Sequence, residues 1–148
     1  YIGWWGSPNS IMDFCEPNYQ VSHYFAEFFN TLSSIPMVIW GILGVILTHF
    51  YATKQFRYKL CFLSLSFVGI GSILFHASLR YKYQLLDELP MLLTSASTLF
   101  CALTLHKNKM SNQQYSLIFL LTSITILEII LYTYFQIWSI FFIGYSIN

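Results

Sequence analysis

The sequence predicts an all-α membrane protein, a polytopic bundle of transmembrane helices. Of its 148 residues only 9% are charged and 56% are hydrophobic, whereas about 25% of an average soluble domain is charged. A soluble protein of this size could not cover its surface with so few charges. The near balance of 7 Lys and Arg against 6 Asp and Glu also argues against a nucleic-acid partner, which would need a basic face.

Uncharged stretches locate the helices. Because a helix rises 1.5 Å per residue, about 20 residues cross a hydrocarbon core of about 30 Å. The predicted spans are 29–50, 59–79, 86–105, 115–131 and 134–148. The last two are hard to separate, since Tyr132–Tyr134 carries no strong turn signal. A soluble bundle, the alternative, would show a polar face every 3.6 residues. We therefore expect a transmembrane domain over residues 28–148, after a polar segment over residues 1–27.

Two ionisable residues fall where the membrane interior is predicted. His76 lies about one turn inside the second span, and Asp87 lies near the start of the third. A short loop makes these helices antiparallel, so both residues enter the membrane from the same side at similar depth. Ser72 shares a helix face with His76. Ionisable groups at this depth indicate a functional site. The alternatives are a histidine that only links helices and an acidic helix start at Asp87-Glu88, before Pro90.

The polar N-terminal segment is rich in side-chain oxygen. It carries Asp13, Glu16, Asn18 and Glu27 and contains no Lys or Arg. Such a set favours a hard cation such as Ca²⁺, although the spacing is not that of an EF-hand. A solvated acidic loop is the alternative.

Two blocks of sequence together resemble the alkaline ceramidases. The first consists of Gly3–Gly6, Asp13–Tyr19 and Ala26–Thr31, and the second consists of Gly71–Leu79 and Gln84–Met91. The blocks follow each other in the family's order and at the family's separation. After the third predicted span only the hydrophobic layout agrees.

The resemblance implies a seven-helix intramembrane enzyme, of which this chain holds about five helices. Such an enzyme hydrolyses the amide bond of ceramides taken from the bilayer, in the endoplasmic reticulum or Golgi. It implies a catalytic Zn²⁺ with His76 as one of three histidine ligands, Asp87 as the general base, and Ser72 as a donor to the developing oxyanion. It also implies a Ca²⁺ bound by the side chains of Asp13, Glu16, Asn18 and Glu27 and the backbone carbonyl of Phe14.

One part of the family pattern is missing from this sequence. The other two zinc ligands of the family come from a His-x-x-x-His pair on the last helix, and this chain contains no such pair. We therefore expect a C-terminally truncated piece that is inactive by itself, with a degenerate homologue as the alternative. Two other functions remain open: a progestin/adipoQ-receptor-like membrane protein, and a non-enzymatic scaffold or channel in which His76 and Asp87 only pair helices.

Overall fold

The computed structural model describes residues 2–52, 55–105 and 111–147, and this part of the chain is helical after an irregular N-terminal segment. Its helices are α1 (Phe28–Leu47), α2 (Phe56–Ser78), α3 (Tyr81–Leu103), α4 (Asn112–Phe135) and α5 (Trp138–Ile147). A π-helical segment, Thr48–Ala52, continues α1. Among the described residues, four helical segments are long and apolar enough to span a membrane. The predicted helical membrane bundle is confirmed.

Helix ends differ from the predicted spans in two places. α3 begins at Tyr81, not near residue 86, so Asp87 and Glu88 lie inside the helix and the acidic helix start is wrong. The break after α4 falls at Gln136, which adopts a left-handed conformation with φ 53°. The junction between the two helices therefore lies after Tyr132–Tyr134. A glutamine, not a glycine, adopts the left-handed conformation there, so the sequence carries no strong turn signal. α5 has 10 residues, which at 1.5 Å per residue is about 15 Å.

Small residues let α1 and α2 approach closely. A Cβ atom on Gly41 would lie 2.7 Å from the backbone carbonyl oxygen of Phe62, and one on Gly69 would lie 2.8 Å from a methyl group of Val38. Since real Cβ atoms do not come so close, the two helices could not pack this way with larger residues. Small residues at such contacts are typical of membrane helices.

Gly71 sets the contact between α2 and α3. A Cβ atom there would lie 2.2 Å from the backbone oxygen of Leu86 and 2.8 Å from the backbone nitrogen of Asp87. Pro90 has no N–H to bond the carbonyl of the residue four positions earlier, which is Leu86. Gly71 thus packs against a turn of α3 that lacks one helical hydrogen bond, directly beside Asp87.

We expect Gly71→Val to destabilise the protein by about 1–3 kcal/mol, the usual cost of overpacking a tight contact. The added methyl groups would meet backbone atoms of α3, which cannot rotate away. Ile70→Val, on the neighbouring and partly exposed residue, is the control and should change stability little. The measurement is thermal unfolding in detergent, and equal melting temperatures for the two variants would contradict this account.

The N-terminal segment binds across the turn between α2 and α3. The backbone N–H groups of Asn9 and Ser10 donate to the carbonyl of Leu79, at 3.0 and 3.1 Å. Leu79 ends α2 in a left-handed conformation with φ 48°, and the next helix begins at Tyr81. Further along, the N–H of Ala26 donates to the carbonyl of Ala77 at 2.9 Å. The segment is thereby fixed at the end of the bundle that holds His76.

Candidate functional site

His76 and Glu27 are joined twice near the end of α2. Nδ1 of His76 lies 2.5 Å from Oε2 of Glu27, and both side chains are buried. The backbone N–H of Glu27 also donates to the carbonyl of His76 at 2.9 Å. A carboxylate bonded to one ring nitrogen of a histidine fixes the ring and the tautomer, so that the other nitrogen keeps its lone pair. Nε2 of His76 is then the nitrogen that can bind a metal ion.

Glu27 accepts two further hydrogen bonds. The backbone N–H of Phe14 donates to Oε1 at 2.9 Å, and the side-chain amide of Asn30 donates to Oε2 at 3.1 Å. Burial raises the pKa of Glu27, but the hydrogen bonds from His76, Asn30 and Phe14 outweigh burial and hold this pKa below its ordinary value. Glu27 is therefore an ionised group that links α1, α2 and the N-terminal segment.

Phe14 contacts the site with its side chain as well. The aromatic ring lies edge-on to the ring of His76, with centroids 5.2 Å apart. It also contacts the ring of Phe75 on α2, at 6.3 Å between centroids. The sequence predicts a role only for the backbone carbonyl of Phe14, as a calcium ligand. The ring contacts with His76 and Phe75 were not predicted.

Asp87 and His76 lie at the same end of the bundle, as the antiparallel arrangement predicts. Both side chains are buried, and the imidazole lies within electrostatic range of the Asp87 carboxyl group. Ser72 is also buried, and its hydroxyl lies 2.9 Å from the hydroxyl of Ser34 on α1. The structure therefore gathers a histidine, a carboxyl group and a hydroxyl group at one end of the bundle. An arrangement of this kind can bind a metal ion, transfer a proton and donate a hydrogen bond.

Glu16 caps the first helix. Its Oε1 accepts the N–H of Phe29 at 2.8 Å, and its Oε2 accepts the N–H of Asn30 at 3.0 Å. The first N–H groups of a helix have no partner within the helix and favour negative charge. Glu16 therefore ties the N-terminal segment to the start of α1, next to Glu27.

Asp13 and Asn18 face each other in the N-terminal segment. The side-chain amide of Asn18 donates to Oδ2 of Asp13 at 3.1 Å. The Oδ1 atom of Asn18 is buried and accepts no hydrogen bond in the described part of the structure. A buried oxygen without a hydrogen-bond partner costs free energy. A cation bound to this oxygen would remove that cost, so Oδ1 of Asn18 fits a cation site.

The donors fit the two implied metal ions to different degrees. Across residues 2–52, 55–105 and 111–147, no three His, Cys, Asp or Glu side chains lie close enough together to hold a metal ion. Calcium binds 6–8 oxygen atoms, and the oxygens of Asp13, Glu16, Asn18 and Glu27 fit its chemistry, with Asn18 Oδ1 available. For zinc, His76 fits as one ligand, while a catalytic zinc takes three protein ligands. The described residues therefore supply only part of a zinc site.

The sequence analysis missed a buried polar network on the other side of Asp87. Oε1 of Glu88 accepts the side-chain amide of Gln84 at 3.0 Å, and Oε2 accepts the hydroxyl of Tyr132 on α4. The carbonyl oxygen of the Gln84 side chain accepts the N–H of Ile11 at 2.7 Å. These bonds connect α3, α4 and the N-terminal segment and fix the turn that carries Asp87. The spacing of Gln84 and Glu88, one turn apart, was the available signal.

The chain matches a family model over nearly all of its length and known proteins over part of it. A family model described as Ceramidase matches residues 6–147. Alkaline ceramidase 3 of Mus musculus is 41% identical over 119 residues, which are 80% of this chain and 44% of that protein. An alkaline ceramidase of Saccharomyces cerevisiae is 45% identical over 93 residues, which are 61% of this chain and 28% of that protein. Alkaline ceramidase 1 of Homo sapiens is 42% identical over 85 residues, 57% of this chain and 32% of that protein.

In each case the matched region spans less than half of the relative. The family model, in turn, covers all five helices of this chain. The match from residue 6 to residue 147 shows that this chain belongs to the ceramidase family.

Proposed function

We propose that the protein hydrolyses the amide bond of ceramides and releases a sphingoid base and a fatty acid. The observation that carries this proposal is the buried His76, held by Glu27 at 2.5 Å and within electrostatic range of the carboxyl group of Asp87. Family membership supports the same reaction, because the relatives are named alkaline ceramidases. The helices that surround the site are apolar enough for a membrane, and a two-chain lipid would reach the site from the bilayer.

Each polar residue of the site has a proposed part in the reaction. Asp87 accepts the proton of the attacking water and returns it to the nitrogen of the leaving amine, as a general base and then a general acid. Ser72 donates a hydrogen bond to the amide oxygen as negative charge develops there. Glu27 keeps the ring of His76 in one orientation and one tautomer.

We propose zinc as the catalytic metal ion, with Nε2 of His76 as one of its ligands. A bound zinc ion lowers the pKa of water to about 7 and polarises a carbonyl group. The hydrogen bond of Nδ1 to Glu27 supports this assignment, because metal-binding histidines usually donate their second N–H to a carboxylate.

We propose that calcium binds the N-terminal segment through Asp13, Glu16, Asn18, Glu27 and the carbonyl of Phe14. The unpartnered Oδ1 of Asn18 supports this proposal. So does the position of Glu27, which contacts both Phe14 and His76. The cation would hold the segment against α1 and so stabilise the carboxylate that supports His76.

We further propose the endoplasmic reticulum or Golgi membrane as the location.

The test is release of sphingoid base from ceramide by the complete protein in mixed micelles. We expect His76→Ala to lose nearly all activity and bound zinc, since a ligand is removed. His49→Ala is the matched control, because His49 is exposed and contacts Lys59, far from the site. Activity that survives His76→Ala, or that falls equally in His49→Ala, would overturn the proposal.

A further inference from the structure

Two thiols meet between α2 and α3, away from the site. Sγ of Cys61 lies 3.3 Å from Sγ of Cys101, and the thiol of Cys101 donates to the backbone carbonyl of Arg57 at 3.6 Å. Cys101 is buried and Cys61 is half-buried. His76 lies fifteen positions after Cys61 along α2, a distance of about 22 Å at 1.5 Å per residue. The pair is therefore independent of the proposed reaction.

We propose that Cys61 and Cys101 are a modification site at which a hydroperoxide forms a reversible disulfide. A disulfide needs its sulfur atoms about 2.05 Å apart, so the thiols must move closer by roughly 1.3 Å. Rotation about the side-chain bonds can supply this movement, since the two sulfur atoms already face each other across the helix contact. The bond would link α2 and α3 at the end opposite to Gly71.

The reaction balances with one hydroperoxide per disulfide. The sulfur of Cys61, the more exposed thiol, attacks the O–O bond and becomes a sulfenic acid, while the hydroperoxide leaves as an alcohol. The sulfur of Cys101 then attacks the sulfenic sulfur, and the S–S bond forms with loss of water. In total, two thiols lose two electrons and two protons, and the hydroperoxide is reduced to alcohol and water.

A cavity brings an apolar oxidant to the helix turns that carry the thiols. It has a volume of about 970 Å³ and lies between α2, α3 and α4. Leu60 and Phe100, the residues directly before Cys61 and Cys101, line it together with Arg57. The lining is mainly apolar, so a small organic hydroperoxide dissolved in the bilayer can enter.

The experiment treats the protein in membranes with cumene hydroperoxide and maps the peptides without reduction. Cys15→Ser is used as the background, because Cys15 is exposed and would otherwise form links between molecules. We expect a linked peptide pair that contains Cys61 and Cys101, weighs two hydrogen atoms less than its parts, and separates on reduction. We also expect the melting temperature to rise by several degrees, since a cross-link restricts the unfolded chain.

The matched controls are Cys61→Ser and Cys101→Ser in the same background. Neither should yield the linked peptides or the rise in melting temperature after the same treatment. Absence of the linked pair from the treated Cys15→Ser protein would overturn the proposal by itself.

Discussion

Asp87→Asn is expected to lower the proposed ceramide hydrolysis by a factor of about 10²–10⁴, the usual contribution of a general base, while the proposed zinc ion stays bound. Asparagine has the same size but cannot accept a proton from water. Asp87 is buried within electrostatic range of His76, and its backbone packs against Gly71. The substitution should therefore remove the proton acceptor without moving the helix. The measurements are turnover of ceramide, zinc content and melting temperature of the purified protein.

Glu88→Gln provides the matched control, since it makes the same chemical change one residue further along α3. Glu88 bonds to Gln84 and Tyr132 and has no proposed part in proton transfer, so this variant should keep most of the turnover. An Asp87→Asn protein that retains a tenth of wild-type turnover would rule out the base role. Equal losses in both variants would point to a disturbed helix.

Glu27→Ala is expected to cause the largest loss of stability. It leaves the donors of His76, Phe14 and Asn30 without their acceptor, and each buried donor left unsatisfied costs about 1–3 kcal/mol. It also removes one anionic oxygen from the proposed calcium site. We therefore expect a lower melting temperature in calcium-containing buffer and loss of most of the response to a chelator. Differential scanning fluorimetry with and without chelator measures both effects.

Asp87→Asn is the control for the calcium response, because Asp87 lies outside the N-terminal segment. It should keep the full calcium-dependent shift in melting temperature. A Glu27→Ala protein with the same shift as wild type would contradict the proposed calcium site. If Glu27→Ala lowers the melting temperature but wild type shows no calcium-dependent shift, Glu27 has a structural role only.

The fold was predictable where charge and hydropathy change abruptly. α1 and α2 follow from the long uncharged stretches 29–50 and 59–79. The start of α3 was not predictable in this way. Gln84 falls between the predicted spans, yet both Gln84 and Glu88 are buried in α3, where Tyr132, 48 and 44 residues away, bonds to them.

Part of the candidate site was also predictable from the sequence. A short connection between antiparallel helices places His76 and Asp87 at one end of the bundle, and this follows from the sequence. The bond between His76 and Glu27 joins residues 49 positions apart. It depends on the path of the N-terminal segment across Leu79, and no local pattern encodes that path.

The anchoring of the N-terminal segment constrains the order in which the chain can fold. Ile11 bonds to the side chain of Gln84, 73 residues later, and Asn9 accepts the N–H of Tyr81, 72 residues later. Ribosomes add roughly 5–20 residues per second, so Ile11 waits about 4–15 s for its partner to be made. Asn9 and Ile11 are thus synthesised before their partners on α3 and can reach these native contacts only after α2 and α3 have been made. During that interval the acidic segment is open to chaperones, proteases and modifying enzymes on its side of the bilayer.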